Sequence, residues 1–156
     1  MENFEYDILT NTNWQTTNIS YGFDANVPLN VRNLFQTAAS DISQNSKLSL
    51  SEIPENFQPD IHISFADTQG FLALAYFPGE HSISGDILLS QEFLNQPEQY
   101  QNFIVWHEFG HALGLGHEDE RKDSVMNDNL ESGVDSLPQR FTPYDFWALD
   151  TTYYLL

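Results

Sequence analysis

The sequence has no cysteine. Disulfides, thiolate metal sites and a thiol nucleophile are thereby excluded, and the redox compartment stays unread. Basic residues are scarce. Five Lys and Arg stand against 23 Asp and Glu, for a formal net charge of -18. A field of that sign repels phosphate backbones and anionic membrane surfaces, so no nucleic-acid partner is expected. It would favour a cationic partner only weakly, and its plain consequence is a soluble surface. Long apolar runs are missing too. The longest, Phe71 to Phe77, is far short of a membrane span, so no membrane insertion is expected. The opening stretch MENFEYDILTNTNW carries acids where a secretory signal carries Lys or Arg, and it has no apolar h-region. There is no internal repeat and no low-complexity linker.

What is present suffices for one domain. In 156 residues, 40% are hydrophobic, and 12 Phe and 7 Tyr supply large side chains for a core. The domain body is placed at residues 14–156, with residues 1–13 as an N-terminal extension. Two arrangements are open for that extension. It frays, or it lies in a cleft with a carboxylate such as Asp7 inside.

Periodicity divides the body. Ile19, Tyr21 and Phe23 alternate as a strand. From Asn30 the period becomes helical, with Val31, Leu34, Phe35, Ala38, Ala39 and Ile42 on one stripe behind Pro28. Leu48 and Leu50 mark a short strand. Ile61, Ile63 and Phe65 alternate with Asp60, His62 and Ser64 as another. Phe71–Phe77 reads as a strand closed by Pro78-Gly79, and Gly85–Leu89 as a further short one. Pro97 opens a helix through FIVWHEFGHAL that stops at Gly114. Thr142-Pro143-Tyr144-Asp145 is a capping-box signature that starts a last helix, Asp145 to about Tyr154. The order predicts an α+β fold with a sheet packed on two helices.

The chemistry concentrates in residues 107 to 117, HEFGHALGLGH. His107 and His111 are one helical turn apart, with Cβ atoms roughly 6 Å from each other. Both imidazoles can therefore reach one zinc at about 2.0–2.1 Å. Glu108 is one position round the helix and can reach a water at the metal, as a general base. Gly114 supplies the backbone conformation that breaks the helix. The chain can then return His117 as a third ligand. Three protein ligands leave a fourth position free, the mark of a catalytic zinc site. A chance match to HExxHxxGxxH in a chain this long is on the order of one in 10^5. His62 and His81 read as ordinary surface residues.

With Ser124-Val125-Met126-Asn127 following His117, the motif resembles that of the metzincin metallopeptidases, whose Met-turn lies under the zinc. Within them the chain is similar to the matrixins and the serralysins. The resemblance extends to Trp14…Ile19-Ser20-Tyr21, to Pro59–Phe65, to Leu72–Gly79 with Gly85-Asp86-Ile87, and to the Thr142–Leu149 segment. It implies a metzincin-type domain with a twisted mixed sheet on two helices and a C-terminal helix after the Met-turn. It implies one catalytic Zn2+ held by His107, His111 and His117, with Met126 in the Met-turn. The activity implied is endopeptidase cleavage of extended protein substrates through a zinc-bound water activated by Glu108. Substrate would add as a strand along the edge formed by Leu72, Ala73, Leu74 and Ala75. The residue after the cut would enter a pocket walled in part by the segment after Met126.

The chain departs from the family in places. Where matrixins carry histidines for a structural zinc, Leu74 and Leu88 stand here, so that zinc is not expected. Leu89, Ser90 and Gln91 replace acidic residues of a calcium site, which leaves Asp86 as the one calcium candidate. Asn127 and Asp128 stand where serralysins place a ligating Tyr. A monomer is expected. Secretion by a route without a cleaved signal is the expected localisation, with the cytoplasm as the alternative. Two other readings compete: a binding module that keeps zinc without turnover, and a zinc hydrolase of small amides. An intact Glu108 speaks against the first, and a long edge strand against the second.

Overall fold

The alternating strand signals assemble into one five-stranded sheet. The computed structural model describes residues 7–127 and 136–156. Its strands are β1 (Asn18–Phe23), β2 (Ser49–Glu52), β3 (Ile61–Phe65), β4 (Ala73–Ala75) and β5 (Ile87–Leu89), in the spatial order β2-β1-β3-β5-β4. The first four in that order run parallel, with Ile19 opposite Leu50, Phe23 opposite Ile63 and Ile63 opposite Ile87. β4 runs antiparallel to β5 and forms the far edge, Leu74 opposite Leu88. The helices are α1 (Leu29–Asn45), α2 (Glu98–Leu113) and α3 (Pro143–Thr152).

The α1 stripe does what its period requires. Val31, Phe35, Ala38, Ala39 and Ile42 are all buried against the sheet. Aromatic rings join the layers edge to face. Tyr21 meets Phe23 and Phe109 at 5.9 and 6.0 Å, and Phe35 meets Phe23 and Phe109 at 6.1 and 5.4 Å. This cluster fixes α2 against β1 and α1, and so sets the height of the histidine-bearing turn above the sheet.

Three elements differ from their sequence signals. The 71–77 run is a strand only at Ala73–Ala75. Its start is taken up by a turn in which the Phe71 N–H donates to Thr68 O at 3.1 Å, and Pro78 has no N–H to extend the ladder. A short 3-10 turn, Gln91–Asn95, buries Phe93 ahead of α2. A single apolar anchor has no period, so it left no signal. α3 ends at Thr152, before Tyr154.

Residues 7–13 neither fray nor enter a cleft. Ile8 is wholly buried, Leu9 forms an antiparallel bridge with Leu115, and the Gly116 N–H donates to Ile8 O at 2.9 Å. Asp7 itself is exposed, with its carbonyl at Gly116. An apolar pair, Ile8-Leu9, was the available sign of this docking. No helix among the described residues is long and apolar enough to cross a membrane.

Candidate metal centre

α2 places His107 and His111 on one face, both buried among apolar neighbours. Its C-terminus is Gly114 at φ +113°, a left-handed conformation that ends the helix and turns the chain. His117 returns from that turn. Among the described residues, His107, His111 and His117 are the one group of metal-ligand side chains that converges. The His111 Nε2 lies 3.2 Å from the Nε2 of His107 and 3.2 Å from that of His117. A tetrahedral zinc with bonds of 2.0–2.1 Å puts neighbouring ligand atoms about 3.3 Å apart. The spacing fits one such ion.

Hydrogen bonding settles the tautomers. The His107 Nδ1 lies 2.8 Å from Val125 O, and the His111 Nδ1 lies 2.8 Å from Leu115 O. A carbonyl only accepts, so each Nδ1 carries the proton. Each Nε2 is then a lone pair facing the shared point, the form a metal needs. Burial pushes the His107 imidazole down to about 4 in the metal-free protein, against the opposing hydrogen bond to Val125. It therefore stays neutral and ready to ligate. Burial also pushes the Glu108 carboxyl up to about 8. Glu108 shares a cleft of about 710 Å³ with the three histidines.

The walls of that cleft come from β4 and α2. On one side lie Leu72, Ala73, Leu74 and Ala75; on the other lie Tyr100, Phe103 and Ile104. Ser90 N–H donates to Leu72 O, and Tyr76 N–H to Asp86 O. With Leu74 opposite Leu88, the even-numbered residues of this edge bond inward to β5. Ala73 and Ala75 therefore aim their backbone N–H and C=O groups outward, toward the cleft.

Two aromatic contacts on the ligands had escaped the sequence reading. Phe103 stacks on His107 at 5.3 Å, and Phe77 meets His111 edge-on at 5.6 Å. Phe103 precedes His107 by one helical turn, so the face it shares was readable.

Met126 is fully buried beneath α2. Gly110 is what lets it approach, since a Cβ there would collide with the Met126 sulfur. The Glu118 N–H donates to Met126 O at 3.0 Å and ties the His117 segment to this turn. Buried Glu118 also accepts from the Tyr144 hydroxyl. Asn127 donates to Arg121 O at 3.0 Å. Asp128 and the segment after it lie outside the described residues, as does the pocket wall expected there.

Below the turn stands Asp145. Its carboxylate accepts from Ser124 Oγ, from Val125 N–H at 2.8 Å, and from the N–H and hydroxyl of Thr142 at 3.0 and 3.1 Å. The sequence showed only the capping half of this role. The other half makes Asp145 the anchor of Val125, and hence of the acceptor for His107. Asp145→Asn replaces one carboxylate oxygen with an NH2 group, which then faces either the Ser124 hydroxyl or the N–H groups of Val125 and Thr142. We expect a loss of about 3 kcal/mol from buried groups left unpaired, read as a fall of roughly 10 °C in melting temperature. A variant melting within two or three degrees of wild type would contradict this role.

Of the other singled-out residues, His81 is exposed in its loop and His62 is half-buried on β3. Asp86 is half-buried, with burial raising its carboxyl pKa against the opposing pull of His62. None of the three joins the histidine group.

A sheet with an antiparallel edge over a helix that carries two of three convergent imidazoles, the third beyond a glycine break, defines the metzincin class. More narrowly, the chain belongs to the matrixin family, whose model matches residues 13–153. It is 38% identical over 108 residues to matrix metalloproteinase-25 of Mus musculus, covering 58% of this chain and 18% of that protein. Matrix metalloproteinase-25 of Homo sapiens is 38% identical over 106 residues, covering 56% and 19%. The chain thus spans less than a fifth of the length of these relatives.

Proposed function

We propose that this protein is a zinc-dependent endopeptidase that cleaves extended polypeptide segments. One observation carries the reading: three imidazoles share a point in the same cleft as Glu108 and the outward-facing backbone of β4. His107, His111 and His117 would hold the ion. Zinc bound there supplies Lewis-acid polarisation of the scissile carbonyl and lowers the pKa of water toward about 7.

The chain's own residues do the rest. Ala73 and Ala75 pair with the substrate backbone as an added strand and align its carbonyl. The Glu108 carboxylate takes the proton of the attacking water and passes it to the leaving amine. Burial raises its proton affinity and so suits it to both transfers. Tyr100, Phe103 and Ile104 offer the neighbouring substrate side chain an apolar surface. Kinship with proteins named matrix metalloproteinases supports action outside the cell.

The test is cleavage of unfolded casein by the zinc-loaded chain, with and without a zinc chelator. We expect cleavage that the chelator abolishes and added zinc restores. Cleavage indifferent to the chelator, or none by the loaded protein, would overturn the reading.

A further inference from the structure

We propose that the N-terminal strap, Ile8 to Trp14, is a positioning element of the metal centre, acting through the turn after α2. This rests on the zinc reading above.

A helix leaves its last carbonyls without partners inside the helix. At the end of α2, Gly110 O takes the Leu115 N–H at 2.8 Å, and His111 O takes the Gly114 N–H at 3.0 Å. The next carbonyls are taken by side chains from the two ends of the chain. Trp14 Nε1 donates to Ala112 O at 2.8 Å. The Tyr153 hydroxyl donates to Leu113 O at 2.7 Å. The Thr10 hydroxyl donates to Gly114 O at 2.6 Å. Residue 115 closes the series by accepting from His111 Nδ1 at 2.8 Å.

The strap backbone grips the same turn. Leu9 bridges to Leu115, and Ile8 O accepts the Gly116 N–H. The approach is so close that a Cβ on Gly114 would strike Thr12 O, and a Cβ on Gly116 would strike Asp7 O. Two ligands depend on this clasp. His111 takes its ring orientation from Leu115 O, and His117 follows Gly116 directly. Outer-shell groups that orient a ligand typically matter to metal affinity by about 10–100-fold. None of the strap residues lines the cleft, so the strap acts on the ligands and not on substrate.

The test uses the full chain with Thr10→Val, which removes the hydroxyl at nearly constant shape, and Thr10→Ser, which restores it. Trp14→Phe, which removes the donor to Ala112 O, is a second loss variant. Zinc affinity is measured by competition with a chromophoric chelator. The visible spectrum of the Co2+-substituted protein and the melting temperature of the metal-free protein are recorded alongside. We expect Thr10→Val to weaken zinc binding about ten-fold and to alter the Co2+ spectrum, with both returned to wild type in Thr10→Ser. Trp14→Phe should act in the same direction. A purely structural strap lowers the metal-free melting temperature alone. Wild-type zinc affinity and Co2+ spectrum in Thr10→Val and Trp14→Phe overturn the proposal, as does a Thr10→Ser variant no better than Thr10→Val. A wild type that binds no zinc overturns the zinc reading itself, and this assignment with it.

Discussion

Glu108→Gln is expected to lower kcat/KM on an unfolded protein substrate by about 10²–10⁴-fold, the usual share of a positioned general base. Glutamine keeps the size of the side chain and its place in a buried wall of the cleft. It loses the capacity to take a proton. Burial holds the Glu108 carboxyl at about 8 in the metal-free protein, so its anion is more basic than an exposed carboxylate. His107 and His111 keep their carbonyl partners, and zinc affinity should stay close to wild type. The measurement is kcat/KM beside a zinc titration of the same preparation. Activity within about three-fold of wild type would remove Glu108 from the chemistry. Activity lost together with zinc would make its contribution structural.

Gly114→Ala is expected to be the most disruptive single methyl in the site. Two costs combine. A φ of +113° is strained for any residue with a Cβ, at about 1–2 kcal/mol. The new carbon would also meet the Thr12 carbonyl, which is backbone and cannot rotate away. Together they should exceed about 3 kcal/mol, or roughly 10 °C in melting temperature. The chain can relieve the contact only by moving the strap or the turn, and the turn carries His117. Zinc affinity should therefore fall along with stability. A variant that melts like wild type would mean that the turn accommodates the methyl without strain.

The motif was the most legible part of the molecule. Imidazoles one turn apart on a helix share a face whatever surrounds them, so His107 and His111 could be paired before any coordinates. Gly114 announced the break for the same local reason. The α1 stripe was legible because a 3.6-residue period is a strong signal. Legibility ended where a role depends on partners distant in sequence. Asp145 read as a helix cap because Thr142 is three residues away; its grip on Val125 depends on how α3 docks. Thr10 carries no pattern, and Trp14 entered only through the family resemblance, since a single hydroxyl or indole N–H bonded across the fold leaves no periodicity. The β4 edge misled in the other direction. Seven apolar residues in a row suggested a long strand, and turn geometry at Thr68–Phe71 left three.

The pinning of Val125 by Asp145 also bears on time. Synthesis delivers the histidines before it delivers α3, and domains complete themselves as their last elements emerge. Until α3 docks, the Val125 N–H lacks its Asp145 partner, and the carbonyl that orients His107 is held less firmly. A nascent chain therefore carries all three imidazoles before Asp145 has fixed the carbonyl that orients one of them. On the proposed reading, the site would gain its full order only when α3 docks and Asp145 takes hold of Val125.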